Sequence, residues 1–116
     1  MQLKIQAPSI LVCVNPVDFR RSIDGLVDVI LGTLNHDPKE SIFIFHNRMR
    51  NKVKLLAWHK NGFILLLKRL ERGRFSIVLT QDDLVTLEPE QLSWLLAGLD
   101  WVAMSNWGEL EYVDYH

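Results

Sequence analysis

The chemistry most available to this chain is the binding of an anion. Residues 48–74 hold nine bases, Arg48, Arg50, Lys52, Lys54, Lys60, Lys68, Arg69, Arg72 and Arg74, against the single acid Glu71, a local charge of +8. Arginine presents a planar fork that grips a phosphate through two hydrogen bonds, and lysine presents a point charge. Arg48, Arg50, Lys52 and Lys54 recur at every second position. On one extended strand they would project from a single face about 6.6 Å apart, twice the rise per strand residue. That interval is comparable to the distance between successive phosphates of one nucleic-acid strand. Lys68, Arg69, Arg72 and Arg74 would come from a returning strand, and Arg20 and Arg21 from the start of a neighbouring helix. These ten side chains are the candidate nucleic-acid contacts. No recognition-helix motif accompanies them, so the expected contacts are to the DNA backbone, with weak sequence preference.

Two other readings of the same charges stand beside this one. Lysines on an edge strand deter sheet-to-sheet aggregation and need no ligand. Alternatively, the chain neutralises itself. Residues 75–116 have no Lys or Arg and carry Asp82, Asp83, Glu88, Glu90, Asp100, Glu109, Glu111 and Asp114, a charge of −8, so this third could fold over the basic band. The net charge of −1 conceals this segregation.

Catalytic constellations are poor. His36, His46, His59 and His116 lack metal-ligand spacing, and one cysteine cannot build a zinc site. Cys13 sits in the apolar run Ile10–Val14 and is expected to be a buried small hydrophobe. Asp18 and Asp24 lie far in sequence from Asp82 and Asp83, and nothing in the spacing brings them together as two-metal chemistry requires. Ser22 and Ser41 have no visible base, and Gly73 stands alone where a phosphate-cradling loop would need several glycines. No catalytic residue, metal or cofactor is expected.

The elements that must position the bases can be drawn from apolar patterning. A chain of 116 residues, 48% hydrophobic and 23% charged, suits one globular domain. With one cysteine it has no internal disulfide, which fits a reducing compartment. No secretory leader and no membrane-length apolar run is visible, so a cytoplasmic protein without membrane contact is expected. Residues 10–14 and 42–45 read as buried strands. Ile23, Leu26, Val27, Ile30, Leu31 and Leu34 form one helical stripe over about 19–34, with Asp18 as N-cap and Asn35-His36-Asp37-Pro38 as stop. Residues 52–59 and 63–70 read as strands of a hairpin turning at Asn61-Gly62, a favoured type I′ pair. That register sets Lys54 opposite Arg69, a like-charge pair that calls for an anion, and Lys52 opposite Glu71. Leu79–Leu87 holds a short strand or a loop. A second helix over about 89–98 opens on Pro89, buries Leu92, Leu95 and Leu96, and ends at Gly98. The fold expected is a single α+β domain over residues 1–101. It has a mostly antiparallel sheet, a central hairpin at 52–70 and two helices, followed by an acidic aromatic tail over 102–116. The expected core is Leu11, Val12, Ile23, Leu26, Ile30, Phe43, Phe45, Leu56, Trp58, Leu65, Leu67, Leu92, Leu95 and Leu96.

Four ordered blocks also resemble a known family. Pro16-Val17-Asp18-Phe19-Arg20-Arg21-Ser22-Ile23-Asp24-Gly25-Leu26 is similar to P-x-D-M-R-K-[SG]-[IF]-D-G-L, and Phe43–Arg50 to F-x-F-x-N-R-R-R. Lys54-Leu55-Leu56-Ala57-Trp58, Gly62-Phe63 and Lys68–Phe75 resemble K-L-L-x-W, G-F and K-R-L-E-R-G-R-F. Gln91-Leu92, Leu95-Leu96 and Gly98-Leu99-Asp100-Trp101 resemble a closing Q-L, L-L and G-I-D-W. This is the pattern of the TnpB-type accessory protein encoded by the second small reading frame of insertion-sequence-66 transposons. The resemblance covers about residues 10–101. It implies a cytoplasmic, non-catalytic protein that works beside a separate transposase. Phe19 replaces the usual methionine, Met49 removes the middle arginine of the triple, and Glu88 replaces the usual Ser or Thr cap, so the last helix is expected to fray at its start. Two functions follow. The protein contacts transposon DNA, or a transposase–DNA complex, through the basic band. Alternatively it is an interaction module that holds the cognate transposase or a copy of itself, with the tail carrying Trp107, Tyr112 and Tyr115 as contact surface.

Overall fold

The computed structural model describes residues 9–105. Five strands form one sheet: β1 (Ser9–Cys13), β2 (Ser41–His46), β3 (Lys52–His59), β4 (Gly62–Arg69) and β5 (Leu84–Leu87). Their order is β4-β3-β2-β1-β5. Only the β1–β2 pair is parallel, because a helix carries the chain across between them; the other three pairs are antiparallel. The α+β class with a mostly antiparallel sheet is therefore as the sequence predicts. The 52–70 hairpin, however, is not central. β2 is the middle strand, and five of its six residues are buried.

That crossover helix, α1 (Ile23–Asp28), runs on as a π-helical turn over Val29–Thr33, where Leu34 N–H bonds back to Val29 O at 3.0 Å. In this widened turn Ile30 and Leu34 stay buried while Leu31 is 54% exposed, so the regular stripe does not hold to its end. Asn35 stops the helix in a left-handed conformation (φ 54°). Ser22, not Asp18, stands at the N-cap. Asp18 instead accepts from Arg20 N–H at 2.9 Å, an Asx turn that leads into the helix.

On the other face, α2 (Pro89–Leu96) packs with the extended segment 70–78 and a final helical turn at 101–105. Glu88 does not leave the start of α2 loose: Gln91 Oε1 reaches back to accept Glu88 N–H at 2.8 Å. Gly98 (φ 77°) ends the helix as expected.

Alternation along the strands divides the core in two. Leu11, Phe43, Phe45 and Leu56 meet Leu26, Ile30 and Leu34 of the crossover on one face. Val12, Ile44, Val53 and Leu87 meet Phe75, Ile77, Leu95 and Trp101 on the other. Leu67 is not core, being 60% exposed, because it lies on the edge strand beyond the reach of either helix. Phe75, Ile77 and Trp101 are core residues outside any regular apolar period. Trp101 is held by its indole N–H to Ser76 O at 2.6 Å.

Candidate nucleic-acid interface

The two hairpins decide where the bases go. β3 begins at Lys52, so Arg48 and Arg50 do not extend its period-two row. They lie in the β2–β3 loop, which the asparagines at its ends close: Asn47 Oδ1 accepts from Asn51 N–H and Lys52 N–H, both at 3.1 Å, and Asn47 Nδ2 donates to Asn51 Oδ1 at 2.6 Å. Arg50 takes a positive φ of 58°, uncommon for a residue with a side chain. Its carbonyl accepts Phe75 N–H at 2.6 Å, and Asn51 O accepts Leu70 N–H at 2.8 Å. The β2–β3 loop is thereby stitched to the 70–75 segment that carries Arg72 and Arg74.

The β3–β4 hairpin turns at Lys60-Asn61, not Asn61-Gly62. His59 pairs with Gly62 and Trp58 with Phe63, whose rings meet edge to face at 4.9 Å between centroids. Aligning this aromatic pair moves the register by two residues. Lys54 then faces Leu67, Lys52 faces Arg69, and the expected Lys54–Arg69 and Lys52–Glu71 pairs do not form. Glu71 instead accepts from the Arg69 guanidinium at 2.9 Å and offsets the Lys52–Arg69 juxtaposition.

Two of the ten candidate bases are turned to internal use. Lys54 is buried. Its ammonium donates to Phe19 O and Arg21 O, each at 2.9 Å, and lies 4.8 Å from the Phe19 ring centroid. Lys68 donates to Leu96 O at 2.5 Å, satisfying a carbonyl at the C-terminus of α2. Arg20 is bound to Asp18 at 2.6 Å, and its guanidinium holds that carboxyl down to about 2. Among the described residues, Arg20 and Arg69 are the bases with a carboxylate partner.

Topology then brings the rest together. β1 and β2 are parallel and β2, β3 and β4 alternate in direction. The ends of β1, β2 and β4 and the start of β3 thus share one end of the sheet. Arg21 comes from the loop after β1, Arg48 and Arg50 from the loop after β2, Lys52 from the start of β3, and Arg72 and Arg74 from the segment after β4. Arg21, Arg48, Arg72 and Arg74 are exposed, and Arg50 and Lys52 are half-buried. Asp82 and Asp83 reach the same end, but on the β5 edge, across β1, β2 and β3 from β4. Sequence reasoning identified these bases but placed them on a strand face. The signal that locates them at a loop end is the pair of asparagines, Asn47 and Asn51.

Beside this end lies a cleft of about 240 Å³ lined in part by Cys13, Asn15, Asp18, Arg21 and Asp83. Burial pushes the Cys13 thiol up from its ordinary range, and its Sγ donates to Asn15 O at 3.4 Å. This thiol is a packing group, not an activated nucleophile. No helix of the described residues is long and apolar enough to cross a membrane.

A sequence profile described as IS66 Orf2-like protein matches residues 8–106. Two curated relatives from Sinorhizobium fredii are similar over most of their length. The uncharacterized protein y4jC is 39% identical over 98 residues, 84% of each chain. The uncharacterized protein y4hO is 32% identical over 85 residues, 72% of this chain and 74% of that one. No solved structure matches the chain significantly.

Proposed function

The chain belongs to the IS66 Orf2-like family, and from that premise we propose that it is a cytoplasmic, non-catalytic accessory protein of transposition that holds the DNA backbone on the arginine-bearing end of its sheet. The DNA is that of the transposon, free or in complex with the cognate transposase. Family membership supplies the accessory role in transposition. The observation that carries the DNA contact is the convergence of Arg21, Arg48, Arg50, Arg72 and Arg74 from three separate loops, with the nearby Asp18 and Glu71 already bound to Arg20 and Arg69. Loops fixed by backbone and asparagine hydrogen bonds present charge without having to order first, which lowers the entropic cost of binding.

The test is a titration of labelled transposon-end duplex at several salt concentrations. Contact with five phosphates predicts a log–log slope of about −4.5. A variant with Arg21, Arg48, Arg72 and Arg74 changed to Glu, all at exposed positions, should lose binding while keeping its far-ultraviolet circular dichroism. Unchanged affinity in that variant refutes the proposal. Lys54 is left out of the set because reversing it would disturb the fold.

A further inference from the structure

We propose that β4 joins a second copy of this chain edge to edge, fusing two five-stranded sheets into one across a two-fold axis at Leu65. β4 ends the strand order, and all eight of its residues pair with β3 without interruption. Every second residue of such an edge turns its N–H and C=O outward, a ready template for another strand. The edge runs about 26 Å, from ~3.3 Å per residue. Edge strands in monomeric proteins are ordinarily blunted by proline, a bulge, central charge or a covering element. β4 has no proline, no bulge, and no charge before Lys68. Leu66 is 51% exposed on the α2 face and Leu67 60% exposed on the α1 face, so neither layer covers the strand. The opposite edge differs: β5 is four residues long and α2 packs against it.

A second copy fits because β4 is complementary to itself. In an antiparallel register centred on Leu65, Phe63 meets Leu67 of the other copy, Ile64 meets Leu66, and Lys68 meets Gly62. Every apolar residue finds an apolar partner, and the charged ends of the two strands fall at opposite ends of the ladder, where like charges do not meet. Leu67 of the second copy would reach the half-buried Phe63–Trp58 pair. Lys68 and Arg69 are already engaged by Leu96 O and Glu71, so they do not guard the edge. An acidic strand from another protein would be answered at the Lys68–Arg69 end alone and would leave Phe63–Leu67 unmatched.

Sedimentation velocity of the full chain across the micromolar range tests this. The expected result is a dimer that the double variant Leu66→Lys, Leu67→Lys converts to a monomer with unchanged far-ultraviolet circular dichroism. In a Cys13→Ala background, Leu65→Cys should cross-link on mild oxidation, since residues on the axis face each other about 4.5–5.5 Å apart at Cα, within disulfide reach. Leu67→Cys, which faces Phe63, should not. A full chain that stays monomeric overturns the proposal, whether its own residues 106–116 or another protein takes the edge. A dimer that survives the double lysine variant, or cross-links through neither position, overturns it too.

Discussion

Replacing Lys54 should damage the fold far more than replacing any exposed arginine of the same basic segment. Its ammonium donates to Phe19 O and Arg21 O at 2.9 Å each, from a buried position. A hydrogen bond from a charged donor contributes about 1.5–3 kcal/mol net when its partner has no substitute. Phe19 is half-buried and Arg21 is exposed, so water replaces part of what Lys54 supplies and each bond falls below that range, to about 1 kcal/mol. Lys54→Met keeps the apolar stem and loses both bonds, for a cost of about 2 kcal/mol. Lys54→Ala also removes three methylenes at ~0.8 kcal/mol each, for about 4 kcal/mol in all. In a domain of this size 2 kcal/mol lowers the melting temperature by roughly 10 °C. Urea unfolding of wild type, both Lys54 variants and Arg72→Ala measures the contrast. Arg72→Ala, at an exposed position, should stay within about 0.5 kcal/mol of wild type. A Lys54→Met protein as stable as wild type would falsify the assignment of Lys54 as a strut beneath the Arg20–Arg21 turn.

Other expectations follow from single residues. Phe75, 1% exposed, should cost about 3–5 kcal/mol when cut to Ala, measured by the same urea unfolding, even though no regular element contains it. Lys60 holds a positive φ of 53° in a three-residue turn closed by Asn61 N–H to His59 O; Lys60→Gly should therefore raise the melting temperature, by about 0.5–1 kcal/mol of added stability. Cys13 is buried and its thiol is pushed up by that burial, so a disulfide reagent at neutral pH should modify it only at the rate of unfolding. Rapid modification of the native protein would contradict that placement.

Periodicity made most of the elements legible in the sequence, because alternation along β2 and β3 and the stripe of α1 are written in apolar residues. It could not fix the hairpin register. Asn61-Gly62 is the better turn on local preference, yet the fold turns one residue earlier, aligning Trp58 with Phe63 at the cost of a positive φ at Lys60. The slip is by two in pairing, so every side chain keeps its face and only its partner changes. Thus the faces were right and the Lys54–Arg69 repulsion was not. The row Arg48-Arg50-Lys52-Lys54 misled for a related reason. Period two is compatible with a strand, but Asn47 caps the backbone of Asn51 and Lys52 and folds the first half of the row into a loop. Phe75 and Ile77 were illegible as core because segment 70–80 follows no helix or strand period, and Trp101 because the helical turn it opens at 101–105 is too short to show one.

The same placement bounds what an external anion can meet. The charge of +8 over residues 48–74 overstates it, since Lys54 fastens the 19–21 turn to the sheet, Lys68 fastens the end of α2, and Arg69 is bound to Glu71. Lys60 sits at the far end of the hairpin, beyond β3 and β4. What remains at the loop end is Arg21, Arg48, Arg50, Lys52, Arg72 and Arg74, none with a carboxylate partner among the described residues. Six phosphate contacts per chain would give a log–log salt slope of at most about −5.4. A per-chain slope clearly steeper than this would require Lys54, Lys68 or the paired arginines to leave their internal partners on binding. Lys54→Met separates the two cases. If Lys54 is a strut, the variant loses stability and keeps the wild-type slope; if it releases to meet a phosphate, the slope falls by about 0.9.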